Sequence, residues 1–250
     1  MPPSSKERID KLLVERGLAD SRTKAQAMIM AGTVLVDEHR VSKPSETFGG
    51  ECSIRIKGDS DRSGYVGRGG LKLEAALNEF KIDPTGFACI DIGSSTGGFT
   101  DCLLQHGAKR VVAVDAGTNQ LVWSLRTDPR VEIRENTNAR HLKAGDFGER
   151  FDLAVMDVSF ISVTKVIPAI LPLLTEKQRM VVLIKPQFEV GKGEVGKGGI
   201  VRDELKHERV IRDVKRFAEE QGLVCAGIVD SPITGAEGNK EFLAHFFKAS

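Results

Sequence analysis

Residues 89–101, C-I-D-I-G-S-S-T-G-G-F-T-D, decide the fold. An apolar run closes on Asp91 and Ile92, a glycine-rich turn follows, and the residues after it are spaced for a helix. Gly93, Gly97 and Gly98 lack Cβ atoms, so the backbone can turn sharply there and approach a ligand closely. The turn delivers that ligand to exposed backbone N–H groups at the start of the next helix. A dinucleotide fingerprint spaces its glycines G-x-G-x-x-G, whereas these stand as Gly93-Ser-Ser-Thr-Gly97-Gly98, without the G-K-[ST] of a phosphate-binding loop. An adenosine cofactor without a pyrophosphate fits this spacing better. Asp115, closing the next strand, is placed to accept both ribose hydroxyls of such a cofactor.

Outward from the turn, helices and strands alternate. Residues 71–80 read as a helix with Leu73, Ala76, Leu77 and Phe80 on one face, 88–92 as a strand, 98–106 as a helix and 110–115 as a strand. Residues 121–126 read as helix, 131–135 and 152–157 as strands, 163–174 as helix and 179–185 as a strand. A helix over 203–221 and strands over 224–230 and 240–247 complete the pattern. Near-continuous apolar strands between helices indicate a parallel sheet covered on both faces. The expected fold is α/β, a doubly wound, mostly parallel, Rossmann-like sheet. Its ligand lies beyond the C-terminal strand ends, near the switch point. The candidate cofactor residues there are Asp91, Gly93, Ser94, Ser95, Thr96, Gly97, Gly98, Phe99, Asp115, Asn136, Asn138 and Asp157.

The first sixty residues form a separate small α+β module. A helical run from Lys6 places Ile9, Leu12 and Leu13 on one face and stops at Gly17; a second starts at Asp20 or Ser21 and stops at Gly32. Residues 33–36 and 53–57 alternate like short strands around a turn-rich segment. The expected organisation is an N-terminal module over 1–58, a glycine-rich linker over 59–70 and the large α/β domain over 71–250.

Bulk composition excludes several classes. Apolar residues make up 40% and charged residues 28%, with 36 basic against 35 acidic side chains and a net charge of +1. An ordinary globular protein is indicated, and any nucleic-acid surface must be a local patch. The 4 cysteines (Cys52, Cys89, Cys102 and Cys225) form no C-x-x-C pair and read as reduced, buried thiols. No run approaches the ~18 apolar residues of a membrane span and no signal-like segment opens the chain, so a cytoplasmic protein is expected. The 5 histidines show no ligand spacing and no metal site is assigned. Trp123, between apolar neighbours, reads as a core residue.

Four polar residues fall where a parallel-sheet enzyme collects its chemistry. Lys72 opens the first helix of the large domain, Asp157 ends the fourth strand, Lys185 ends the fifth and Glu241 starts the last. A lysine closing V-V-L-I is unusual, because lysine is seldom placed on apolar strands without a partner. A desolvated lysine beside carboxylates suits deprotonation of a weak hydroxyl, or stabilisation of the alkoxide that forms.

The D-x-G-x-x-x-G-G-F form of the turn resembles motif I of the class I S-adenosylmethionine-dependent methyltransferases. Lys72, Asp157, Lys185 and Glu241 match in order and context the K-D-K-E tetrad of the FtsJ-like ribose 2′-O-methyltransferases. With S-T-G-G-F-T, D-V-S-F-I-S and K-P-Q-F-E-V-G-K-G, the chain resembles the TlyA family along nearly its whole length. Members of that family carry both hemolysin and rRNA 2′-O-methyltransferase names. The resemblance implies S-adenosylmethionine as cofactor and a ribose 2′-hydroxyl of rRNA, or of a ribosomal subunit, as substrate. It implies Lys185 as the main base or alkoxide stabiliser, with Asp157, Lys72 and Glu241 positioning it. The close of the chain at Ser250 resembles the shorter family form, which implies action on large-subunit rRNA.

The N-terminal module is similar to the S4-like RNA-binding fold shared by a small-subunit ribosomal protein and pseudouridine synthases. Arg8, Lys11, Arg22, Lys24 and Gln26 are then the residues expected to face RNA phosphates. Arg62 and Arg68 in the linker, and Lys192 and Lys197 in the glycine-lysine segment 188–199, are further candidates, that segment reading as a mobile loop over the substrate. Two other readings stay open at this point: a membrane-active cytolysin, and an RNA-binding ribosome assembly factor whose methyltransferase fold is silent.

Overall fold

The computed structural model describes residues 6–37, 39–50, 52, 54–56, 64–191, 193–235 and 238–249. The N-terminal module begins with strand β1 (Lys6–Arg8), where a helix was expected; helix α1 starts only at Ile9 and runs to Glu15. β1 is antiparallel to β4 (Thr47–Gly49), which lies between the turn-rich run and the strand expected over 53–57. Helix α2 (Arg22–Met30) is capped by Ser21, whose hydroxyl accepts the Lys24 N–H. β2 (Val34–Val36) pairs with the two-residue β3 (His39–Arg40) on one side and with β5 (Ile54–Ile56) on the other. Ile9, Leu13, Ala25, Ile29 and Val34 are fully buried and form the core of the module.

The large domain is built on a seven-stranded sheet: β6 (Ala88–Ile92), β7 (Arg110–Val114), β8 (Val131–Arg134), β9 (Phe151–Met156), β10 (Leu174–Ile184), β11 (Val224–Asp230) and β12 (Phe242–Phe247). Their order across the sheet is β11-β12-β10-β9-β6-β7-β8, with β6 to β10 parallel and β12 antiparallel to both of its neighbours. Alternate residues feed two cores. Ile90, Ile92, Val112, Met156 and Val182 face one layer, and Cys89, Val111, Leu153, Val155 and Leu183 face the other. The chain runs from β6 outward to β7 and β8, then returns to β9 beside β6. The switch point therefore lies between the C-terminal ends of β6 and β9, which are followed by Gly93 and Asp157.

Helices α3 (Gly69–Glu79), α4 (Gly98–Gln105), α5 (Trp123–Arg126), α6 (Ile167–Ile170), α7 (Pro186–Glu189) and α8 (Glu204–Glu220) cover the sheet. Three expectations need correction. The helix over 163–174 is broken into a 3-10 turn, the four-residue α6, and another 3-10 turn, because Pro168 and Pro172 remove N–H donors and clash with preceding carbonyls. The linker over 59–70 does not extend to its end: Tyr65 is buried against Leu73 and Leu77, its hydroxyl donates to Glu74, and α3 already starts at Gly69. Residues 188–199 are not one open loop, since Phe188 and Glu189 lie in α7 and Lys197–Gly199 make a 3-10 turn.

The two modules touch through Arg16 and Gly17. The Arg16 guanidinium donates to the carbonyls of Cys52 and Gly50 and sits 5.7 Å from the centroid of the Trp123 ring. Trp123 is thus a partly exposed contact residue between modules, and the expectation of a core tryptophan is corrected. All four cysteines are free; burial pushes the Cys89 and Cys102 thiols up to about 12, which leaves them unreactive at neutral pH. Among the described residues no helix is long and apolar enough to cross a membrane.

Candidate active site

The glycine turn is stapled to the strands beside it. Gly93 and Ser94 donate to the Val114 carbonyl, and the Asp157 N–H donates to the Ile92 carbonyl. Gly93 has φ +84°, and a Cβ there would stand 2.4 Å from the Asp157 carbonyl oxygen. Only glycine lets the two loops meet this closely. Gly98 plays a similar part between helices, because a Cβ would stand 2.9 Å from the Gly70 nitrogen. The turn, the start of α3 and the residues after β9 are thereby held together as one wall.

Two cavities open on this wall. One, of about 450 Å³, lies between the ends of β6, β7 and β9 and is lined by Asp115, Gly117, Gln120, Thr137, Asn138, Asp157 and Phe160, with Ile92, Val114, Val158 and Ile161 as apolar surface. The other, of about 260 Å³, is lined by Arg68, Lys72, residues 93–96, Gly98, Phe99, Asp157 and residues 233–235. Asp115 accepts N–H groups from Ser95 and Gly117, one on each oxygen, which leaves lone pairs for further donors. An apolar slot ending in such a carboxylate, beside a backbone that approaches closely, fits an adenosine.

Most sequence candidates for the cofactor reach these cavities. Gly97 lies instead beneath the turn, at φ +102° against Leu121 and Leu125, and Asp91 is fully buried below it. Asn136 is exposed and lines neither cavity, whereas Thr137 does. The Asn138 side chain accepts the Arg140 N–H and caps a 3-10 turn at the cavity edge.

The four tetrad candidates form two ion pairs at this edge. Lys72 Nζ lies 2.5 Å from Glu241 Oε2, with side chains 10% and 2% exposed. Lys185 Nζ lies 2.5 Å from Asp157 Oδ1 and donates to Ser159 Oγ at 2.9 Å. Desolvation consumes most of what buried pairs gain by attraction, so stability alone is a weak reason for placing two of them at one strand edge. Lys72 and Asp157 line the smaller cavity, while Lys185 and Glu241 line neither and meet it through their partners: Lys185 follows β10, Asp157 follows β9, Glu241 precedes β12 and Lys72 lies in α3.

Several residues of the site are not singled out by the sequence reading. Ser159 and Phe160 belong here, as do Glu189, Thr137 and residues 233–235. Phe160 is 91% exposed and has φ +64°, an outlier for a bulky side chain. The motif D-V-S-F-I-S marks the segment, but the roles depend on which strand end the fold places opposite.

In the N-terminal module, Arg8, Arg22 and Gln26 all donate to the carboxylate of Asp10, which is fully buried. The Arg8 guanidinium, with Gln26 and Arg22 adding to it, holds Asp10 well below the usual carboxylate range. Lys11 is paired with Glu7 and Glu15, and Lys24 with Asp20. All four basic side chains stay substantially exposed. Arg68 donates to the Thr234 carbonyl, Lys197 is exposed, and Arg62 and Lys192 lie outside the described residues.

A model of FtsJ-like methyltransferases matches residues 65–248 and a model of the S4 domain matches residues 7–51. The chain is 46% identical over 235 residues to the 16S/23S rRNA (cytidine-2′-O)-methyltransferase TlyA of Mycobacterium tuberculosis, covering 94% of this chain and 87% of that one. It is 43% identical over 240 residues to Hemolysin A of Brachyspira hyodysenteriae, covering 96% and 99%. A solved structure from Streptococcus thermophilus that carries a hemolysin name aligns with a TM-score of 0.74 at 45% identity, over 100% of this chain and 90% of that one. The turn after β6, the two lysine–carboxylate pairs and these matches lead to one family: the chain belongs to the FtsJ-like methyltransferases of the TlyA kind, and it carries an S4 domain ahead of the methyltransferase fold.

Proposed function

We propose that this protein transfers the methyl group of S-adenosylmethionine to the 2′-hydroxyl of a cytidine ribose in ribosomal RNA. The observation that carries the reading is the two lysine–carboxylate contacts, Lys185–Asp157 and Lys72–Glu241, of which Asp157 and Lys72 line the smaller cavity. S-adenosylmethionine, when bound, supplies a methyl group already activated on a positively charged sulfur. Asp115 would hold the ribose hydroxyls of the cofactor, the apolar wall of the larger cavity its purine, and the backbone of residues 93–98 its amino-acid end.

The work left to the chain is to orient a ribose hydroxyl and remove its proton. Once Lys185 has released its own proton to solvent, its amine accepts the proton of the ribose hydroxyl, and Asp157 stabilises the ammonium so restored. Lys72, held by Glu241, lines the smaller cavity beside Asp157. Phe160, exposed at the rim, offers a face on which a base can stack. The S4 domain would bind RNA through the free N–H groups of Arg8 and Arg22, which Asp10 holds side by side, together with Lys11 and Lys24. Arg68 and Lys197, on the large domain, would contact phosphates nearer the site. An enzyme acting on rRNA would work in the cytoplasm.

Transfer of labelled methyl from S-adenosylmethionine to isolated ribosomal subunits tests the reading. Both subunits belong in the assay, since the name of the Mycobacterium tuberculosis relative includes both rRNAs. Lys185→Ala is expected to lower incorporation by about three orders of magnitude or more, as loss of a general base does. Its affinity for S-adenosylhomocysteine, read by calorimetry, should stay near that of the wild type. Normal incorporation by Lys185→Ala would remove the lysine from the mechanism.

A further inference from the structure

Two loops leave neighbouring strand ends at the site and are tied to each other twice. The first runs from Asp157 to Ser162 after β9, and the second from Lys185 to Glu189 after β10. At the inner tie, Lys185 Nζ donates to Ser159 Oγ at 2.9 Å. At the outer tie, the Ser162 hydroxyl donates to Glu189 Oε2 at 2.6 Å and the Val163 N–H donates to Glu189 Oε1 at 2.8 Å. Between the ties stands Phe160, whose backbone is in the left-handed region while its ring meets Phe188 at 5.1 Å. A bulky residue persists in that conformation only when its surroundings over-determine it.

A lysine amine has three positions around nitrogen besides its carbon. Ser159 accepts along one of them, while Asp157 Oδ1 lies 2.5 Å from the nitrogen as an ion contact without hydrogen-bond alignment, so among the described residues Ser159 alone fixes how the remaining positions face a substrate oxygen. Without Ser159 the amine can rotate about its last bond while keeping the Asp157 contact, and those positions no longer have a fixed direction. We propose that Ser159 is a positioning residue that aims the Lys185 amine at the substrate hydroxyl, and that Glu189 holds Ser159 in place through residues 160–163. The proposal rests on Lys185 being the proton acceptor, as read above. It adds to the tetrad a hydroxyl and a carboxylate that never touch substrate.

The test uses the full-length protein with ribosomal subunits and S-adenosylmethionine. Ser159→Ala should lower kcat by about 10- to 100-fold, the cost of a misaimed reacting group, with KM for the subunit and affinity for S-adenosylhomocysteine within about twofold. Ser159→Thr, which restores the hydroxyl, should recover most of the rate. Glu189→Ala should lower kcat in the same sense and Glu189→Gln much less, because the amide still bonds both Ser162 and the Val163 N–H. An equal loss in kcat and cofactor affinity, or no loss at all, would overturn the proposal.

A second readout needs no RNA. In Ser159→Ala the freed Lys185 amine should be acylated about threefold faster or more, read peptide by peptide in a mass spectrometer, with exposed lysines unchanged. An unchanged rate at Lys185 would overturn the positioning role. Faster labelling in a protein whose wild type shows no ribose methylation would leave the tie standing and refute the assigned reaction instead.

Discussion

Asp91 is fully buried, and its Oδ2 accepts the Thr100 hydroxyl while Oδ1 has no hydrogen-bond partner. Burial pushes its carboxyl up to about 7, against the Thr100 hydrogen bond and with the help of the nearby Asp157 charge. In an unfolded chain the same group titrates near 3.8. Between these values the folded protein keeps a proton that the unfolded chain has lost, so folding stability falls as pH rises through the window from about 4 to 7. Above it the folded state carries a buried charge with one oxygen unpaired. Asp91→Asn should remove that decline and make the cofactor-free protein more stable than wild type at pH 8, with little difference at pH 4. Urea unfolding at a series of pH values measures it. Parallel curves for the two proteins would show that Asp91 holds no such proton.

The glycines at the start of α3 and α4 govern how the elements meet. Gly98 approaches Gly69 and Gly70 so closely that a Cβ at 98 would lie 2.9 Å from backbone nitrogen and 3.1 Å from a Cα. Gly98→Ala should therefore cost about 1–3 kcal/mol in urea unfolding, as overpacking does, and weaken S-adenosylhomocysteine binding by shifting the turn. Unchanged stability would mean that the two helices can part without strain. Glycine density between 64 and 70 looks in the sequence like flexibility, yet here it serves close packing, with Tyr65 buried against α3. β6, β7, β9 and the end of β10 are legible because they are apolar on both faces for five residues or so, the signature of a central parallel strand. The stretch from 163 to 174 has helical spacing, but Pro168 and Pro172 stand inside it and outweigh the pattern. Strand β1 escaped notice because three residues, K-E-R, hold no alternation, and their pairing with β4 spans the module. The site divides along the same line. The glycine turn, Asp115 and the tetrad lie at strand or helix ends where spacing or family pattern marks them. Ser159 and Glu189 matter only because β9 and β10 are neighbours, which is a property of the sheet order.

At the scale of the whole molecule, the S4 domain rests on the same stretch that walls the larger cavity. Arg16 covers Trp123, and a Cβ on Gly17 would stand 2.9 Å from the Asn119 carbonyl oxygen. Gln120, Leu121 and Leu125 lie in the same stretch, Gln120 lining the larger cavity and the two leucines packing on Gly97. On the function proposed above, RNA held by the N-terminal arginines would reach the large domain on the side of the glycine turn, and the net charge of +1 would leave steering to that local array. If Lys185 takes the proton of a ribose hydroxyl, the methyl group ends on that oxygen. The most direct test is nucleoside mass spectrometry of rRNA from ribosomal subunits treated with the protein and deuterated S-adenosylmethionine. A labelled 2′-O-methylcytidine is expected with wild-type protein and none with Lys185→Ala. Label on a base nitrogen or carbon, or label undiminished in Lys185→Ala, would contradict it.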